Sequence, residues 1–231
     1  MCFLTFIILP YTYTCFLTDD GSHSLKLNGC EESFHSHYGA INESNCVFID
    51  AGLKPLLKEQ MPINILEVGF GTGLNALLTL VQVKDLKNTI YYHGIEPFPI
   101  EPDIIKKLNY PDLLGIKKDI FYLLHQRKNA GTAKILNNFI LYLDTQKIQD
   151  IALKDDFYNL VYFDAFNPVL EPEMWEADIF KKLFKAMKSS GLLCTYSSKG
   201  SVRRHMKEAR FTVEKLAGPK GKREICRAKK P

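Results

Sequence analysis

The segment ILEVGFGTGLN, residues 65–75, decides the fold class of this chain. It joins an apolar run at residues 63–68, typical of a buried β-strand, to a helical pattern at residues 74–83. Glycines at such a strand-to-helix turn allow a tight bend and let a ligand approach the main chain closely. The segment therefore predicts a ligand-binding loop at the carboxyl end of a strand.

Strand and helix patterns alternate along the rest of the chain, from residue 62 onward. This alternation favours an α/β fold, with a mainly parallel sheet and helices on both of its faces. Ligands on such sheets bind at the carboxyl ends of the strands. The predicted strands cover residues 63–68, 89–95, 139–143, 160–163, 192–196, 211–215 and 224–227, and the predicted helical stretches cover residues 74–83, 103–108, 113–125, 172–187 and 201–209.

The N-terminal part has a different character. Residues 10–60 are rich in Thr, Ser, Gly, Asn and His, which predicts short strands and loops. We therefore divide the chain into a β-rich extension, residues 1–60, and a main domain, residues 61–231. The first eighteen residues are uncharged, but Pro10 interrupts their apolar run and no basic residue precedes Lys26. This pattern disfavours a signal peptide or a membrane span and predicts a buried strand or a mis-assigned start.

The composition is that of a globular protein. Of the 231 residues, 46% are hydrophobic and 24% are charged. The cysteines are widely spaced and include no C-x-x-C pair, so we expect reduced thiols, mostly packed as small apolar side chains in a cytoplasmic protein. They are Cys2, Cys15, Cys30, Cys46, Cys194 and Cys226.

The C-terminal segment is basic. Residues 199–231 contain twelve Lys or Arg and three Glu, a balance of +9, whereas the whole chain carries +4. Clustered cations gain free energy by displacing the counterions condensed on a nucleic acid, which favours a phosphate-bearing partner. A solvated Lys-rich tail is the alternative, and composition does not choose between the two.

The spacing of the glycines distinguishes between two kinds of nucleotide site. A dinucleotide fingerprint places its third glycine at the position that Leu74 occupies here. The spacing of Glu67, Gly69, Gly71 and Gly73 matches instead the E-x-G-x-G-x-G pattern of methyltransferases, in which the glycines make room for the methionine and ribose parts of S-adenosylmethionine.

Two further acids close neighbouring predicted strands. Glu96 is placed to accept hydrogen bonds from both ribose hydroxyls, and Asp144 to face the adenine amine. Each acid taken alone is more simply a strand-end carboxylate that caps a helix or meets solvent. Together with Glu67 and the glycine loop, where Asn75 begins the helix, they favour a methyl-donor site.

Several short motifs follow one another between about Thr18 and the end of the chain. They are DGS (20–22), FHS (34–36), GA (39–40), ES (43–44), VF (47–48), LEVGFGTGLN (66–75), DAFNP (164–168), MW (174–175), VRR (202–204) and KRE (222–224). In this order they resemble the tRNA 5-methylaminomethyl-2-thiouridine methyltransferases: the methyltransferase half of the bifunctional MnmC enzymes and their standalone counterparts. The chain departs from that family at Phe34, where Tyr is usual, and at Asp144, which lies in Leu-Asp-Thr where Gly-Asp-Ala is typical.

The resemblance implies a Rossmann-like class I methyltransferase fold with a seven-stranded sheet. It implies S-adenosylmethionine as methyl donor and the aminomethyl group of 5-aminomethyl-(2-thio)uridine, at the tRNA wobble position, as acceptor. The anticodon loop of tRNA would be the partner, because its splayed bases are accessible without melting a duplex. We expect a monomer with no metal, no flavin domain and no membrane association.

Asp164 is the predicted catalytic residue. It follows an apolar strand and opens the motif DAFNP, which resembles the acidic-Pro loops of other amine methyltransferases. Only a neutral amine can attack the methyl group, so the site must orient the amine and lower its pKa or remove its proton. A carboxylate can accept a hydrogen bond from the amine and aim its lone pair. A strand-end Asp that caps the following turn is the alternative.

The predicted acceptor and RNA contacts lie in three parts of the chain. Phe166 would form an apolar wall or stack on the uracil. His35, Ser36 and Glu43 would shape the entrance, although a structural role in the N-terminal strands is equally compatible with the sequence. His35 and His37 form an H-x-H without other ligands at metal spacing, which disfavours a metal site. The remaining predicted contacts are Asn167, Pro168, Arg203, Arg204, Lys222 and Arg223.

Three other functions compete with this interpretation. A polyamine aminopropyltransferase shares the fold and a strand-end Asp, but it normally has extra acids in the glycine loop, where this chain has Thr72 and Leu74. A dinucleotide-linked oxidoreductase is disfavoured by the glycine spacing. A non-catalytic RNA-binding module on the same fold would need neither Glu96 nor Asp164.

Overall fold

The computed structural model describes residues 12–29, 32–58, 62–126 and 132–231. Within these ranges, eight strands form one sheet and two others form a separate hairpin. The strands are β1 (Tyr13–Leu17), β2 (His23–Leu27), β3 (Ile63–Val68), β4 (Ile90–Ile95), β5 (Ala133–Leu136), β6 (Phe139–Asp144), β7 (Tyr158–Phe163), β8 (Met187–Thr195), β9 (Thr212–Ala217) and β10 (Glu224–Lys229).

Along the chain, most of the helices connect successive strands of the large sheet. A π-helical segment, Asn45–Leu53, joins α1 to α2, and a 3₁₀ helix, Pro172–Trp175, precedes α7. The α-helices are α1 (Ala40–Ser44), α2 (Lys54–Leu56), α3 (Leu74–Val83), α4 (Pro102–Ile105), α5 (Tyr110–Leu114), α6 (Lys118–His125), α7 (Ala177–Ala186) and α8 (Gly200–Glu208).

The large sheet is parallel at its centre and antiparallel at its edges. Its strand order is β5-β6-β4-β3-β7-β8-β10-β9, and the five strands from β6 to β8 run parallel. This confirms the predicted α/β class and the mainly parallel sheet. The sheet has one strand more than predicted, because β5 contributes only four residues and is too short to show a strand pattern in the sequence.

Strand β3 lies in the middle of the sheet, and its side chains alternate between two cores. Ile63 and Ile65 belong to one apolar cluster, whereas Leu66 and Val68 belong to the other. Every residue of β3 is buried, as expected for a parallel strand covered on both faces. The glycine loop therefore follows a strand that is buried on both faces of the sheet.

Different helices cover the two faces of the sheet. The first core contains residues of α3, α6 and the π-helical segment, and the second contains residues of α7 and α8. Among the helices that the structure describes, none combines the length and the apolar character needed to cross a bilayer.

The N-terminal part departs from the sequence prediction. Residues 40–56 are helical where short strands and loops were expected, and Val47, Phe48 and Ile49 are buried in the first core. Their burial against the sheet outweighs the weak local helix signal. Strand β1 is only partly buried, contrary to prediction, because it pairs only with β2, outside the large sheet. Residues 1–11 lie outside the described ranges, and the domain boundary at residue 60 stays a prediction.

Two predicted helical stretches are broken in the structure. The stretch 113–125 is split where Gly115 ends α5 in the left-handed conformation at φ 63°. The stretch 172–187 is split at Glu176, which is extended between the 3₁₀ helix and α7. Gly115 and Lys117 in the first stretch and Glu176 in the second have non-helical dihedrals, which divide each predicted helix into two. Among the described cysteines, Cys194 and Cys226 are buried free thiols and Cys15 and Cys46 are partly buried free thiols, while Cys2 and Cys30 fall outside the described residues.

Candidate functional site

A cavity of about 960 Å³ opens at the carboxyl ends of the parallel strands. The glycine loop follows β3, Glu96 follows β4, and Asp164 follows β7, so all three reach the same edge of the sheet. A second cavity of about 570 Å³ adjoins it and shares the lining residues Phe70, Gly71 and Glu96. The two cavities therefore meet at the glycine loop, and acids that follow or end neighbouring strands line them.

The backbone of the glycine loop requires its glycines. Gly69, Gly71 and Gly73 have φ values of 90°, 48° and 70°, a region that residues with side chains rarely adopt. A Cβ atom on Gly69 would overlap the carbonyl oxygen of Asp164 and lie 2.9 Å from its carbonyl carbon. Gly73 is the residue that precedes the first turn of α3. The loop is therefore packed directly against the strand end that carries Asp164.

Asn75 joins two carboxylates from neighbouring strands. Its amide nitrogen donates to Oε1 of Glu67 and to Oδ2 of Asp164, both at 2.9 Å. Glu67 is fully buried, and its second oxygen accepts the hydroxyl of Tyr92 at 2.8 Å. Within the described residues, Glu67 does not line the cavity; its carboxyl holds the amide of Asn75, which does, and its donor contact stays a prediction.

Burial changes the acid–base behaviour of both carboxyls. Loss of solvent raises the pKa of Asp164 to about 7, while the hydrogen bond from Asn75 opposes the shift. Burial also raises the pKa of Glu67 well above its usual range, against the hydrogen bonds from Tyr92 and Asn75. Asp164 therefore titrates near neutrality at the wall of the cavity, which is the range in which a carboxyl can exchange a hydrogen bond or a proton with an amine.

Glu96 and Asp144 surround the second cavity. Glu96 accepts the backbone N–H groups of Gly71 at 2.9 Å and Phe98 at 3.0 Å, so its carboxylate is fixed beside the glycine loop. Asp144 is buried and accepts the backbone N–H of Gln146 at 2.9 Å. His125 lies on the far wall, and burial lowers its pKa to about 4, which keeps its ring neutral. The predicted ribose and adenine acids thus line one continuous compartment.

The residues after Asp164 form the other end of the large cavity. Phe166 packs edge-to-face on Phe34 with ring centroids 5.2 Å apart, and both rings line the cavity. The amide of Asn167 donates to Glu32. The hydroxyl of Tyr196, at the end of β8, donates to the carbonyl oxygen of Ala165 at 2.9 Å. Phe34 and Phe166 therefore form an apolar wall of the cavity that Asp164 also lines, and the contact of Phe166 with the base stays a prediction.

The N-terminal segment supplies the opposite wall. His35 is buried and its Nδ1 lies 3.1 Å from Oγ of Ser24, and burial lowers its pKa to about 4. The backbone N–H of Ser36 donates to Glu43 at 2.7 Å, and Glu43 forms an ion pair with Lys222. His35, Ser36, Glu43 and Lys222 all line the cavity. Lys222 was predicted to contact phosphate, whereas the structure turns its side chain inward onto a buried acid.

The other predicted RNA contacts lie outside the cavity. Arg204 and Arg223 are exposed, and Arg203 is partly buried with its Nε donating to the carbonyl oxygen of Ser198 at 3.2 Å. Within the described residues, the lining of both cavities leaves out Pro168, Arg203, Arg204 and Arg223. Helix α8 follows β8, so its two arginines lie beyond the same edge of the sheet as the cavity.

Two residues of the site carry no signal in the sequence. Tyr196 was assigned only to a strand end, and Glu32 to no role at all. Both contact the loop of residues 164–167 from segments more than 30 residues away, Tyr196 through Ala165 and Glu32 through Asn167. Trp175 is buried, and its indole N–H donates to the carbonyl oxygen of Phe166 at 2.7 Å, so it supports this wall from within the core. Among the described residues, no group of three His, Cys, Asp or Glu has metal-binding geometry.

Comparison with known proteins identifies the family. The family described as S-adenosyl-L-methionine-dependent methyltransferase matches residues 124–231. The tRNA 5-methylaminomethyl-2-thiouridine biosynthesis bifunctional protein MnmC of Nitrosospira multiformis is 30% identical over 209 residues, which is 86% of this chain and 34% of the relative. The chain is therefore similar to the S-adenosyl-L-methionine-dependent methyltransferases related to MnmC. The chain spans about a third of the length of the curated relatives it matches. The MnmC protein of Campylobacter hominis, for example, is 28% identical, and the match covers 85% of this chain and 30% of that protein.

Solved structures agree with this family. The crystal structure of MNMC2 from Aquifex aeolicus superposes with a TM-score of 0.74 at 25% identity, covering 96% of this chain and 72% of that one. Spermidine synthase from Thermotoga maritima superposes with a TM-score of 0.61 at 12% identity, covering 95% of this chain and 69% of that one. At that identity the second likeness shows a shared fold and no more.

Proposed function

We propose that this chain is a methyltransferase that moves a methyl group from S-adenosylmethionine to the aminomethyl group of 5-aminomethyl-(2-thio)uridine at the tRNA wobble position. The observation that carries the proposal is the Asp164 carboxyl, joined through Asn75 to Glu67 and packed against the glycine loop at the meeting point of the donor and acceptor compartments. The curated relatives are named for the synthesis of the methylated form of this nucleoside.

The donor compartment, which we define by the glycine loop, Glu96 and Asp144, has polar groups that suit S-adenosylmethionine. Gly69 and Gly71 present only backbone atoms to the cavity that they line. Glu96 and Asp144 present carboxylates where ribose hydroxyls and an adenine amine would donate. When bound, S-adenosylmethionine supplies an activated methyl group on a sulfonium, so the protein itself need not activate the carbon.

Asp164 acts on the acceptor amine. An aminomethyl group arrives mostly protonated, and a carboxyl with a pKa of about 7 can accept its hydrogen bond and take up a proton at neutral pH. The amide of Asn75 holds Oδ2 at 2.9 Å, which fixes the direction of the other oxygen. The carboxyl thereby orients the lone pair of the amine toward the donor compartment, while Phe166 and Phe34 provide an apolar wall for the flat base.

The acceptor reaches this wall from outside the protein. A base in an anticodon loop is unpaired and can enter a pocket without the cost of melting a duplex. Arg203 and Arg204 of α8, together with Arg223, are the proposed phosphate contacts, since the start of α8 and the turn before β10 lie on the side of the sheet edge where the cavity opens. The tRNA partner and a cytoplasmic location follow from this proposal.

Nucleoside mass spectrometry tests the function directly. Undermodified tRNA that carries 5-aminomethyl-uridines is incubated with the protein and S-adenosylmethionine, digested and analysed. We expect a new nucleoside heavier by one methylene, absent when S-adenosylmethionine is omitted. An unchanged nucleoside profile, with S-adenosylmethionine binding intact by calorimetry, would exclude the proposed acceptor. No heat of binding for the donor would exclude the whole proposal.

Assays with other substrates, beside nucleoside analysis, separate the competing functions. An aminopropyltransferase would modify a polyamine when given decarboxylated S-adenosylmethionine, and would leave the tRNA unchanged. A non-catalytic RNA-binding module would retain tRNA on a filter but yield no new nucleoside. A non-catalytic module does not account for a carboxyl at position 164 that burial brings to a pKa of about 7, whereas an aminopropyltransferase would share that carboxyl and is separated by its substrate.

A further inference from the structure

Lys222 occupies an unusual place for a lysine in a basic surface segment. Its side chain is about one-third exposed and points into the large cavity, where it forms an ion pair with Glu43, a carboxylate with only 8% of its side-chain surface exposed. A buried carboxylate is costly without a cation beside it, so this pair is a fixed part of the cavity wall. Lys220, two residues earlier, points outward and pairs with the exposed Asp19 at 2.9 Å.

The turn between β9 and β10 fixes the position of Lys222. The backbone N–H of Lys222 donates to the carbonyl oxygen of Pro219 at 2.9 Å, and a Cβ atom on Gly218 would overlap the Lys222 carbonyl. Gly221 has a φ of 86° and lies against the ring of Tyr38. In the turn held by these contacts, Lys220 points to solvent, whereas Lys222 lines the cavity.

A chain of direct contacts leads from Lys222 to the Asp164 loop. The ammonium lies 4.2 Å from the centroid of the Tyr196 ring, which is within the range of a cation–π interaction. The hydroxyl of Tyr196 donates to the carbonyl oxygen of Ala165 at 2.9 Å, and Ala165 follows Asp164. On its other side, Glu43 accepts the backbone N–H of Ser36 at 2.7 Å. The ion pair therefore connects the segment that contains Ser36 to the loop that contains Ala165.

We propose that Lys222 is a positioning residue for the acceptor: Glu43 and Tyr196 hold its ammonium at the cavity wall, where its charge balances the two carboxylates, Glu43 and Asp164, that face the incoming amine. The inference rests on the proposed function and deepens it, because it explains how one site accepts a cationic amine and still lets it become neutral. Two unbalanced carboxylates would stabilise the amine in its ammonium form, which cannot attack the methyl group.

The direction of each charge is consistent with this role. The positive charge of Lys222 lowers the pKa of Asp164, whereas the negative charge of Glu43 raises it, and both effects are smaller than that of burial. The other titratable groups that face this end are Glu67 behind Asn75, His35 beside Glu43, and Tyr196, Glu32 and Glu171 on the Asp164 side.

The experiment compares the pH dependence of methyl transfer in four forms of the full-length protein. The wild type, Lys222→Met, Glu43→Gln and the double variant are assayed with undermodified tRNA from pH 5.5 to 9. We expect Lys222→Met to move the acidic limb of kcat/KM to higher pH and Glu43→Gln to move it to lower pH, because each variant removes one of the two charges that act on Asp164. The double variant should return toward the wild type, because both charges of the pair are removed together.

Two controls separate this role from a phosphate contact and from misfolding. Lys222→Arg should keep the wild-type limb, since the charge remains. Calorimetric binding of S-adenosylhomocysteine should stay within about twofold of the wild type in every folded variant, because the pair lies outside the donor compartment. If Lys222→Met does not fold, Glu43→Gln alone still tests the sign of the shift.

A direct titration makes the result independent of turnover. The carboxyl carbon of Asp164 can be followed by NMR with ¹³C-labelled aspartate and assigned by its absence in Asp164→Asn. Its midpoint should rise in Lys222→Met and fall in Glu43→Gln. An unchanged midpoint, or a variant that only raises KM for tRNA with a flatter salt dependence, overturns the inference. A wild type that transfers no methyl group instead overturns the proposed function and leaves the titration result readable.

Discussion

The donor end and the acceptor end of the cavity are built in different ways. The donor end consists of a continuous loop and acids that directly follow or end neighbouring parallel strands, so its groups are placed by the sheet itself. The acceptor end brings together residues 32–36, Glu43, the segment 164–167, Tyr196 and Lys222, which belong to five separate parts of the chain. From this difference we expect donor binding to depend on backbone geometry, and acceptor binding to depend on side-chain contacts between distant segments.

The largest expected effect comes from removing the carboxyl where the two ends meet. Asp164→Ala should lower kcat by about 10² to 10⁴-fold, the usual contribution of a positioned acid or base, while calorimetry shows donor affinity within about twofold of wild type. Asp155→Ala, which removes an exposed aspartate paired with Lys185, is the matched control and should leave both unchanged. Normal methylation by Asp164→Ala would refute the assigned role.

The second prediction breaks the donor end through its backbone. Gly69→Ala should cost about 2 kcal/mol or more and abolish measurable donor binding, because the residue has a φ of 90° and its Cβ would overlap the Asp164 carbonyl. Gly115→Ala is the control, since Gly115 also has positive φ, at 63°, but faces open space. It should cost about 1 kcal/mol and leave donor affinity unchanged. Equal effects in both variants would show that the loop contact is unimportant.

A third prediction uses pH to measure the burial of Asp164. Its pKa in the folded protein is about 7, above the value of 3.8 expected when exposed, so folding favours the protonated form. The stability this provides is complete below about pH 4 and is lost as the pH rises through 7. Asp164→Asn should therefore gain stability relative to wild type between pH 5 and 8, on the order of 2 kcal/mol, as measured by urea unfolding. A constant difference across that range would contradict the shift.

A fourth prediction separates the role of Glu67 from direct donor contact. Glu67→Ala should destabilise the protein by about 1 to 3 kcal/mol, because it leaves the amide of Asn75 and the hydroxyl of Tyr92 without their buried partner. Glu67→Gln keeps an acceptor for Asn75 and should retain most of the donor affinity. Loss of binding in Glu67→Gln at unchanged stability would instead indicate that the carboxylate contacts the donor.

The smallest expected effect concerns the surface of the acceptor end. Replacing Arg203 and Arg204 by Ala should raise KM for tRNA, most strongly at low salt, with kcat and donor binding unaffected. The salt dependence should flatten by about 1.4 units of log–log slope if both arginines contact single-stranded phosphates. Lys185→Ala, on the exposed face of α7, is the control and should not change the slope. An unaltered slope in the double variant would place the tRNA elsewhere.

Prediction from sequence succeeded for single strands and helices and for residues at the ends of parallel strands. The strand Ile63–Val68, the helix Leu74–Val83 and the acids that close neighbouring strands could be placed, because parallel strands end at one edge of a sheet. The helical character of residues 40–56 was missed, since burial against the sheet decides it. Lys222 was misplaced for a related reason: its neighbours in the sequence are basic and exposed, and only the turn at Gly218 and Gly221 directs it inward.

Short segments of the sequence specify the α/β class, the glycine loop and the order of the strand-end acids, because hydrophobic periodicity and glycine spacing are local properties. Tertiary contacts, in contrast, link Asn75 to both Glu67 and Asp164, raise the pKa of Asp164 to about 7 and pair Glu43 with Lys222 within the cavity. These features depend on loss of solvent and on contacts between residues up to 179 positions apart, and no local pattern in the chain encodes either.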